Sequence, residues 1–161
     1  MPSSWDVELA EFLTDLSVVQ SQSLEMLSRK REMLVSADVE GLAALAGQEE
    51  QIIERLQECL DRRRSLLERA AAEGLPDDSL KSLVTALPGH QAGDASERIR
   101  EASARARLLQ HHSLTNWVLV QRTMIHLSQM LEIIATGGRL KPTYSKEEGA
   151  HACGALVDHV A

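Results

Sequence analysis

The stretch from Ile99 to Ile134, IREASARARLLQHHSLTNWVLVQRTMIHLSQMLEII, decides the fold of this chain. Residues recur in it at steps that alternate strictly between three and four, so they lie on one side of a single α-helix. The residues on this seam are Ile99, Ala102, Ala106, Leu109, Ser113, Asn116, Val120, Thr123, Leu127, Met130 and Ile134. A helix that begins near Asp94 or Ser96 and reaches Ala135 is roughly 60 Å long at about 1.5 Å per residue. So long a helix in a small chain offers a large contact surface, which favours a protein that holds a partner.

Two earlier stretches have the same kind of periodicity. In the first, which begins at Ser3 or Ser4, apolar residues recur every seven positions. They are Phe12, Val19, Met26 and Met33. The second begins after Asp38, a residue type that caps helices, and stops at Gly74-Leu75-Pro76. Because the connection between them is short, we expect an antiparallel helical hairpin.

The rest of the chain contains one short helix and a tail. Residues 76–95 hold two prolines and two glycines, too many helix breakers for a continuous helix, so we expect only a short one from about Asp78 to Leu87. The third long helix should end at Thr136-Gly137-Gly138 and continue the antiparallel alternation. From Arg139 onward the residues are mostly small and polar, and this tail cannot bury much by itself.

Composition agrees with a helical fold. Aromatic residues make up only 2% of the chain, so aliphatic side chains must fill the interior, which suits helix-on-helix packing and argues against a β-sandwich or barrel. We predict an all-α fold: an elongated antiparallel coiled-coil bundle of three long helices with a short connecting helix and a weakly packed C-terminal tail or helix. The predicted division is a helical body over residues 1–138 and a C-terminal segment over residues 139–161.

Charge and hydropathy narrow the partners and the compartment. A formal net charge of -7 makes nucleic acid an unfavourable partner, because binding to phosphates needs clustered Lys and Arg. No N-terminal stretch has the pattern of a signal peptide, and no apolar run approaches the roughly 20 residues that cross a bilayer. We therefore expect a cytoplasmic protein without membrane insertion.

The sequence does not indicate a metal or a catalytic site. Cys59 lies on an apolar side of the second helix and is expected in the core, reduced. His151, Cys153 and His159 have a spacing that could in principle hold zinc, but three ligands in a Gly- and Ala-rich tail are weak support for it. Motifs for phosphate binding, nucleophilic serine or zinc hydrolysis are missing. We expect neither enzyme activity nor a cofactor.

Polar residues interrupt the seams of the long helices. Ser113, Asn116 and Thr123 do so in the third helix, and Gln20 and Ser23 do so in the first. Buried polar residues weaken packing but fix the register of paired helices, and this is the interpretation we favour. The alternative is that the stretch opens to receive a helix from a partner.

Two regions resemble the FlgN-type flagellar export chaperones. The first is the run from Asn116 through the Gly137-Gly138 break to Pro142-Thr143-Tyr144-Ser145-Lys146-Glu147-Glu148-Gly149. The second is the region from Asp38 to Leu67, with its Glu49-Glu50 pair. Together they span parts of the second helix, the third helix and the tail, and the Thr-Tyr-x4-Gly tail after a terminated long helix is the most specific part.

The resemblance implies a function and a set of partners. It implies a cytoplasmic type III export chaperone that binds hook-filament junction subunits, prevents their premature assembly and delivers them to the flagellar export apparatus. By this matching the C-terminal region takes the client, and the apolar residues available there are Leu156, Val157 and Val160. Tyr144 corresponds to the tail tyrosine implicated in docking to the export gate.

A structural coiled-coil scaffold or tethering protein would share every helical feature described above. Its helices would dimerise or connect other components without a chaperone role, and a homodimer is possible in either case. The tail distinguishes the two hypotheses, because a scaffold has no need for an isolated Tyr144 in a segment bounded by proline and glycine.

Overall fold

The computed structural model describes residues 4–87 and 92–137 of the chain. They form four helices: α1 (Ser4–Ser36), α2 (Val39–Ala72), α3 (Leu80–Ala86) and α4 (Ala92–Thr136). The structure divides into two compact units, of which the first ends at Thr123 and the second begins at Met124, so α4 contributes to both. The predicted all-α fold with three long helices and a short connecting helix is confirmed. The predicted boundary at residues 138 and 139 lies outside the described residues and stays a prediction.

Side chains fix the starts of α2 and α3. Asp38 caps α2 as predicted, because its Oδ1 accepts a hydrogen bond from the Gly41 N–H at 2.8 Å. Ser79 caps α3 in the same way, with its Oγ accepting from the Ser82 N–H at 3.1 Å. The short helix therefore begins two residues later than the sequence suggested, after the best available cap.

Both helices of the hairpin end in a Schellman motif, in which backbone N–H groups beyond the helix donate to carbonyls of its last turn. At the end of α1 the Asp38 N–H donates to the Met33 carbonyl at 2.9 Å, around Ala37 with a φ of 55°. The end of α2 is closed around Gly74, with a φ of 71°. This left-handed conformation suits glycine and strains alanine, so α1 ends at a small cost that α2 avoids.

Charged side chains pair α1 with α2 along the hairpin. Lys30 Nζ lies 2.6 Å from Glu49 Oε1, and Arg69 Nη1 lies 2.6 Å from Glu8 Oε2. Late residues of α1 thus meet early residues of α2, and the two helices are antiparallel as predicted. Partly exposed pairs of this kind contribute only about 0.2–1 kcal/mol each, so they define the pairing more than they stabilise it.

Trp5 packs at the end of the hairpin where α1 begins and α2 ends. Its ring packs under Arg69, whose guanidinium carbon lies 3.8 Å from the ring centroid. The Trp5 Nε1–H donates to Glu73 Oε2 at 2.8 Å. The indole is therefore buried while its one polar group is satisfied.

The main hydrophobic core joins α1, α2 and α3 at this end. Phe12 and Leu83 are its most completely buried large side chains, and α3 covers the gap between the two long helices. The cluster consists of Trp5, Leu9, Phe12, Leu13, Leu66, Ala70, Leu80, Leu83 and Val84. A smaller cluster of Met26, Leu45 and Ile52 lies farther along the hairpin.

Residues 92–123 of α4 pack along α1. Arg98 Nη2 donates to Thr14 Oγ1 at 2.7 Å, and farther along both helices Asn116 Nδ2 donates to the Leu27 carbonyl at 2.8 Å. Residue numbers rise together in these pairs, so this part of α4 is parallel to α1. Because α2 is antiparallel to α1, the three long helices alternate in direction, as expected from the sequence.

Two buried amides join α1 and α4. Gln20 and Asn116 are each 4% exposed, and the Gln20 Nε2 donates to the Ala102 carbonyl at 3.0 Å. A side chain that bonds a backbone carbonyl of the neighbouring helix can do so in one register only. The burial of Asn116 and its bond to α1 agree with the register-setting role predicted for it.

Exchanging the residues at the two helix ends should shift stability in opposite directions. We expect Ala37→Gly to raise the free energy of unfolding by about 1 kcal/mol, because it removes the strain of a positive φ. Gly74→Ala should lower it by about 1 kcal/mol for the same reason. Urea denaturation followed by circular dichroism measures both, and a change of the same sign in the two variants would contradict this account.

Replacing Asn116 with leucine tests its role in register. Asn116 Oδ1 is buried and accepts no hydrogen bond from the described residues, so Asn116→Leu should leave the free energy of unfolding unchanged or raise it by up to about 1 kcal/mol, or alter the oligomeric state. Asn116→Asp is the control, which should destabilise because it buries a charge. Thermal melts with sedimentation measure both effects. A loss of stability in the leucine variant as large as in the aspartate variant would overturn the assignment.

Candidate functional site

The described part of the second unit, residues 124–137, is a helical segment that exposes its apolar side chains. Between residues 124 and 137 every described side chain is exposed. Seven of them are large and apolar, with exposed fractions from 46% to 73%. They are Met124, Ile125, Leu127, Met130, Leu131, Ile133 and Ile134.

Four of these residues form one continuous stripe. Met124, Leu127, Leu131 and Ile134 follow each other at steps of three, four and three, which is the spacing of one side of a coiled-coil helix. We call this stripe the 124–134 face. Glu132 is the only acidic or basic residue from 124 to 136 apart from a histidine, so the segment has almost no charge with which to select a partner.

The described residues leave the 124–134 face uncovered. Burying a leucine, isoleucine or methionine side chain fully is worth roughly 1.5–3 kcal/mol, and none of the four is buried by the described residues. Helices of about 12–15 residues are only marginally stable in water without packing. A partner helix with a matching apolar stripe would bury this face, as amphipathic helices do in helix-in-groove recognition.

The first unit also exposes apolar side chains on α4. Leu114, Trp117 and Val118 are 56%, 60% and 40% exposed. Coiled-coil periodicity does not single out Trp117, because this residue lies one position beyond Asn116 and therefore off the seam. Its residue type could have identified Trp117 from the sequence, because tryptophan is frequently an anchor of protein interfaces.

The residues predicted from the sequence to bind partners are not placed by the structure. Tyr144, Leu156, Val157 and Val160 all lie outside the described residues. Their roles stay predictions.

The described residues offer little for catalysis or metal binding. Within residues 4–87 and 92–137 no group of three His, Cys, Asp or Glu side chains could hold a metal ion. Cys59 packs at the edge of the main core, and burial is the largest cause of the raised pKa of its thiol, which disfavours the reactive thiolate. No helix in this part of the chain is long and apolar enough to cross a membrane.

Polar substitution of the 124–134 face should not disturb the folding of the isolated protein. We expect Leu127→Gln/Leu131→Gln to change the free energy of unfolding by less than about 0.5 kcal/mol, because both side chains are already largely in water. Leu83→Ala, in the main core, should cost about 2–5 kcal/mol. Chemical denaturation compares the two, and a large loss in the double variant would show that the face is covered within the chain.

Comparison with known proteins gives one match. The family model described as FlgN protein matches residues 1–152, which is most of the chain. Searches of the curated proteins and of the solved structures return no match. The matched family is one of chaperones and not of enzymes. The chain belongs to the FlgN family of flagellar export chaperones.

Proposed function

We propose that the protein is a cytoplasmic chaperone that binds hook-filament junction subunits, prevents their premature assembly and delivers them to the flagellar export apparatus. The observation that carries this proposal is the exposed 124–134 face. Family membership supports the general chaperone role, and the face supplies a surface suited to an apolar helical client.

The proposed clients should also expose apolar helices before they are exported. Junction subunits pair through terminal helices in the assembled filament, and before export those helices would expose apolar stripes that favour premature association. A stripe on the chaperone can cover such a stripe on the client by coiled-coil packing. Because residues 124–136 carry so little charge, apolar burial is the main attraction. The dissociation constant should therefore depend weakly on salt.

We further propose that different parts of the chain contact different partners. The helical body of residues 1–138 presents the 124–134 face, and the segment of residues 139–161 adds further contacts. Leu156, Val157 and Val160 are the proposed client contacts in that segment. Tyr144 is the proposed anchor on the export gate, because tyrosine offers a rigid apolar ring and a hydroxyl at low entropic cost.

Binding measurements with purified junction subunits test the client surface. Leu127→Gln/Leu131→Gln should weaken binding by roughly 100-fold, about 2.7 kcal/mol, because two apolar contacts are lost. Ile53→Gln/Leu60→Gln is the matched control, since these α2 residues are 58% and 55% exposed and lie away from α4 in sequence. Calorimetric titration should show little change for the control. Equal losses in the two double variants, or none in either, would contradict the proposed surface.

A separate substitution tests the gate contact. Tyr144→Ala should leave the melting temperature and client binding nearly unchanged, while it weakens binding to the export gate and slows export of junction subunits. A loss of stability of about 3–5 kcal/mol, typical of truncating a buried aromatic residue, would instead make Tyr144 a packing residue.

The scaffold hypothesis makes a different prediction for the same face. A second copy of the chain could also cover Met124, Leu127, Leu131 and Ile134, and a tethering protein would form a stable homodimer through them. Sedimentation with and without a junction subunit separates the two cases. For a chaperone, adding the junction subunit should dissociate any homodimer and form a complex with the client. A homodimer that no client dissociates would favour the scaffold.

A further inference from the structure

The side of α4 that faces away from α1 combines apolar and basic side chains. Five residues of the first unit follow each other there at steps of three or four, and all five are exposed. They are Arg107, His111, Leu114, Val118 and Arg122, and we call them the 107–122 face. At about 3.6 residues per turn, this face lies opposite Ala102 and Asn116, the residues of α4 that hydrogen-bond to α1. The described residues therefore leave it open to a partner.

The centre of the 107–122 face is apolar. Leu114 and Val118 are 56% and 40% exposed, and Trp117, three residues after Leu114, widens this centre and is 60% exposed. The backbone groups of α4 are paired within the helix here, so a partner can bind only through side chains. A second helix suits such a surface, because it satisfies its own backbone groups while it buries an apolar stripe.

The two arginines at the ends of the 107–122 face have no acidic partner. Arg105, earlier in α4, pairs with Glu101 of the preceding turn at 3.1 Å. By contrast, α4 has no acidic residue from 102 to 131, and Arg107 and Arg122 form no ion pair with a described residue. In a chain with a net charge of -7, unpaired cations on both ends of an apolar centre complement a partner with acidic residues at matching positions.

We propose that the 107–122 face binds an acidic amphipathic helix of a partner protein. Apolar side chains of that helix pack against Leu114, Trp117 and Val118, and its carboxylates pair with Arg107 and Arg122. The two arginines lie roughly 22 Å apart along α4, so the partner helix has about four turns or more. An anionic membrane surface fits less well, because two arginines attract it weakly and the net charge of -7 opposes its approach. The site concerns the first unit alone and stands apart from the client surface.

Titration of the full-length protein with a designed peptide tests the proposal. The probe is an acetylated and amidated peptide of three heptads, with leucine at the first and fourth positions, glutamate at the fifth and seventh, and alanine or glutamine elsewhere. The control peptide has lysine in place of every glutamate. In ¹⁵N-resolved NMR spectra the acidic peptide should shift the backbone amides of residues 107–122, and raising NaCl from 50 to 300 mM should weaken this binding by about tenfold. Equal shifts of these amides with the lysine peptide, or no shifts at millimolar concentration, would overturn the proposal.

Variants separate the 107–122 face from the net charge of the chain. Arg107→Gln/Arg122→Gln should weaken binding of the acidic peptide by about tenfold, and Trp117→Ala should weaken it by about 30-fold. Arg29→Gln/Arg63→Gln is the matched control, because these arginines of α1 and α2 are exposed and form no ion pair with a described residue. The control removes the same charge and should leave binding unchanged. Equal effects of the two double variants would contradict the assignment.

Three further measurements exclude other occupants and the client surface. Leu127→Gln/Leu131→Gln should retain the shifts of residues 107–122, and their loss would contradict a separate site. Vesicles of phosphatidylglycerol and phosphatidylcholine should not sediment with the protein, and binding to them that Trp117→Ala abolishes would assign the face to a membrane. Sedimentation of the protein alone tests a second copy of the chain. A homodimer that Arg107→Gln/Arg122→Gln dissociates would overturn the proposal.

Discussion

The hydrogen bonds of two buried amides to the backbone of the neighbouring helix fix the register of α4 against α1. Gln20 bonds the Ala102 carbonyl and Asn116 bonds the Leu27 carbonyl, so one bond runs in each direction between the helices. Aliphatic stripes alone allow paired helices to slide, whereas these bonds form in a single register. Neither amide oxygen accepts a hydrogen bond from the part of the chain that the structure describes, and an unsatisfied buried acceptor lowers the stability of the fold. The register in turn decides which side chains of α4 reach the core and which remain in water.

The buried core and the exposed apolar face are formed by different residues. One chain can therefore combine a stable helical body with an uncovered apolar surface. The hairpin and α3 bury Phe12, Leu83 and their neighbours within the first unit, with Trp5 closing the end. The apolar residues of 124–136 are exposed. A chaperone needs this arrangement, because its folding must not depend on the surface that it offers to a client. Under the proposed function, the absence of charge on the 124–134 face makes the attraction general for apolar helices, so client selectivity would draw on other contacts.

Periodicity and capping residues predicted most of the fold. The Asp38 cap, the stop near Gly74 and the short helix after Ser79 depend on neighbouring residues, and they appear close to where the sequence placed them. Features that depend on contacts across the chain were not predictable in this way. The packing of Trp5 under Arg69 joins residues far apart in sequence, and so does the hydrogen bond from Gln20 to the Ala102 carbonyl. The predicted seam continues to Ile134, and its last apolar members Leu127, Met130 and Ile134 are exposed, because periodicity identifies one side of a helix and not whether another helix covers it.

Hydrogen exchange of the full-length protein, alone and with a purified junction subunit, tests most directly whether the 124–134 face binds the client. The account predicts that in the free protein the amides of residues 124–136 exchange much faster than those of α1 and α2, since exposed helix without packing opens at little cost. Adding the client should slow exchange in this segment by orders of magnitude and change the hairpin little. Strong protection of 124–136 in the free monomer, or client-induced protection confined to other residues, would contradict the account.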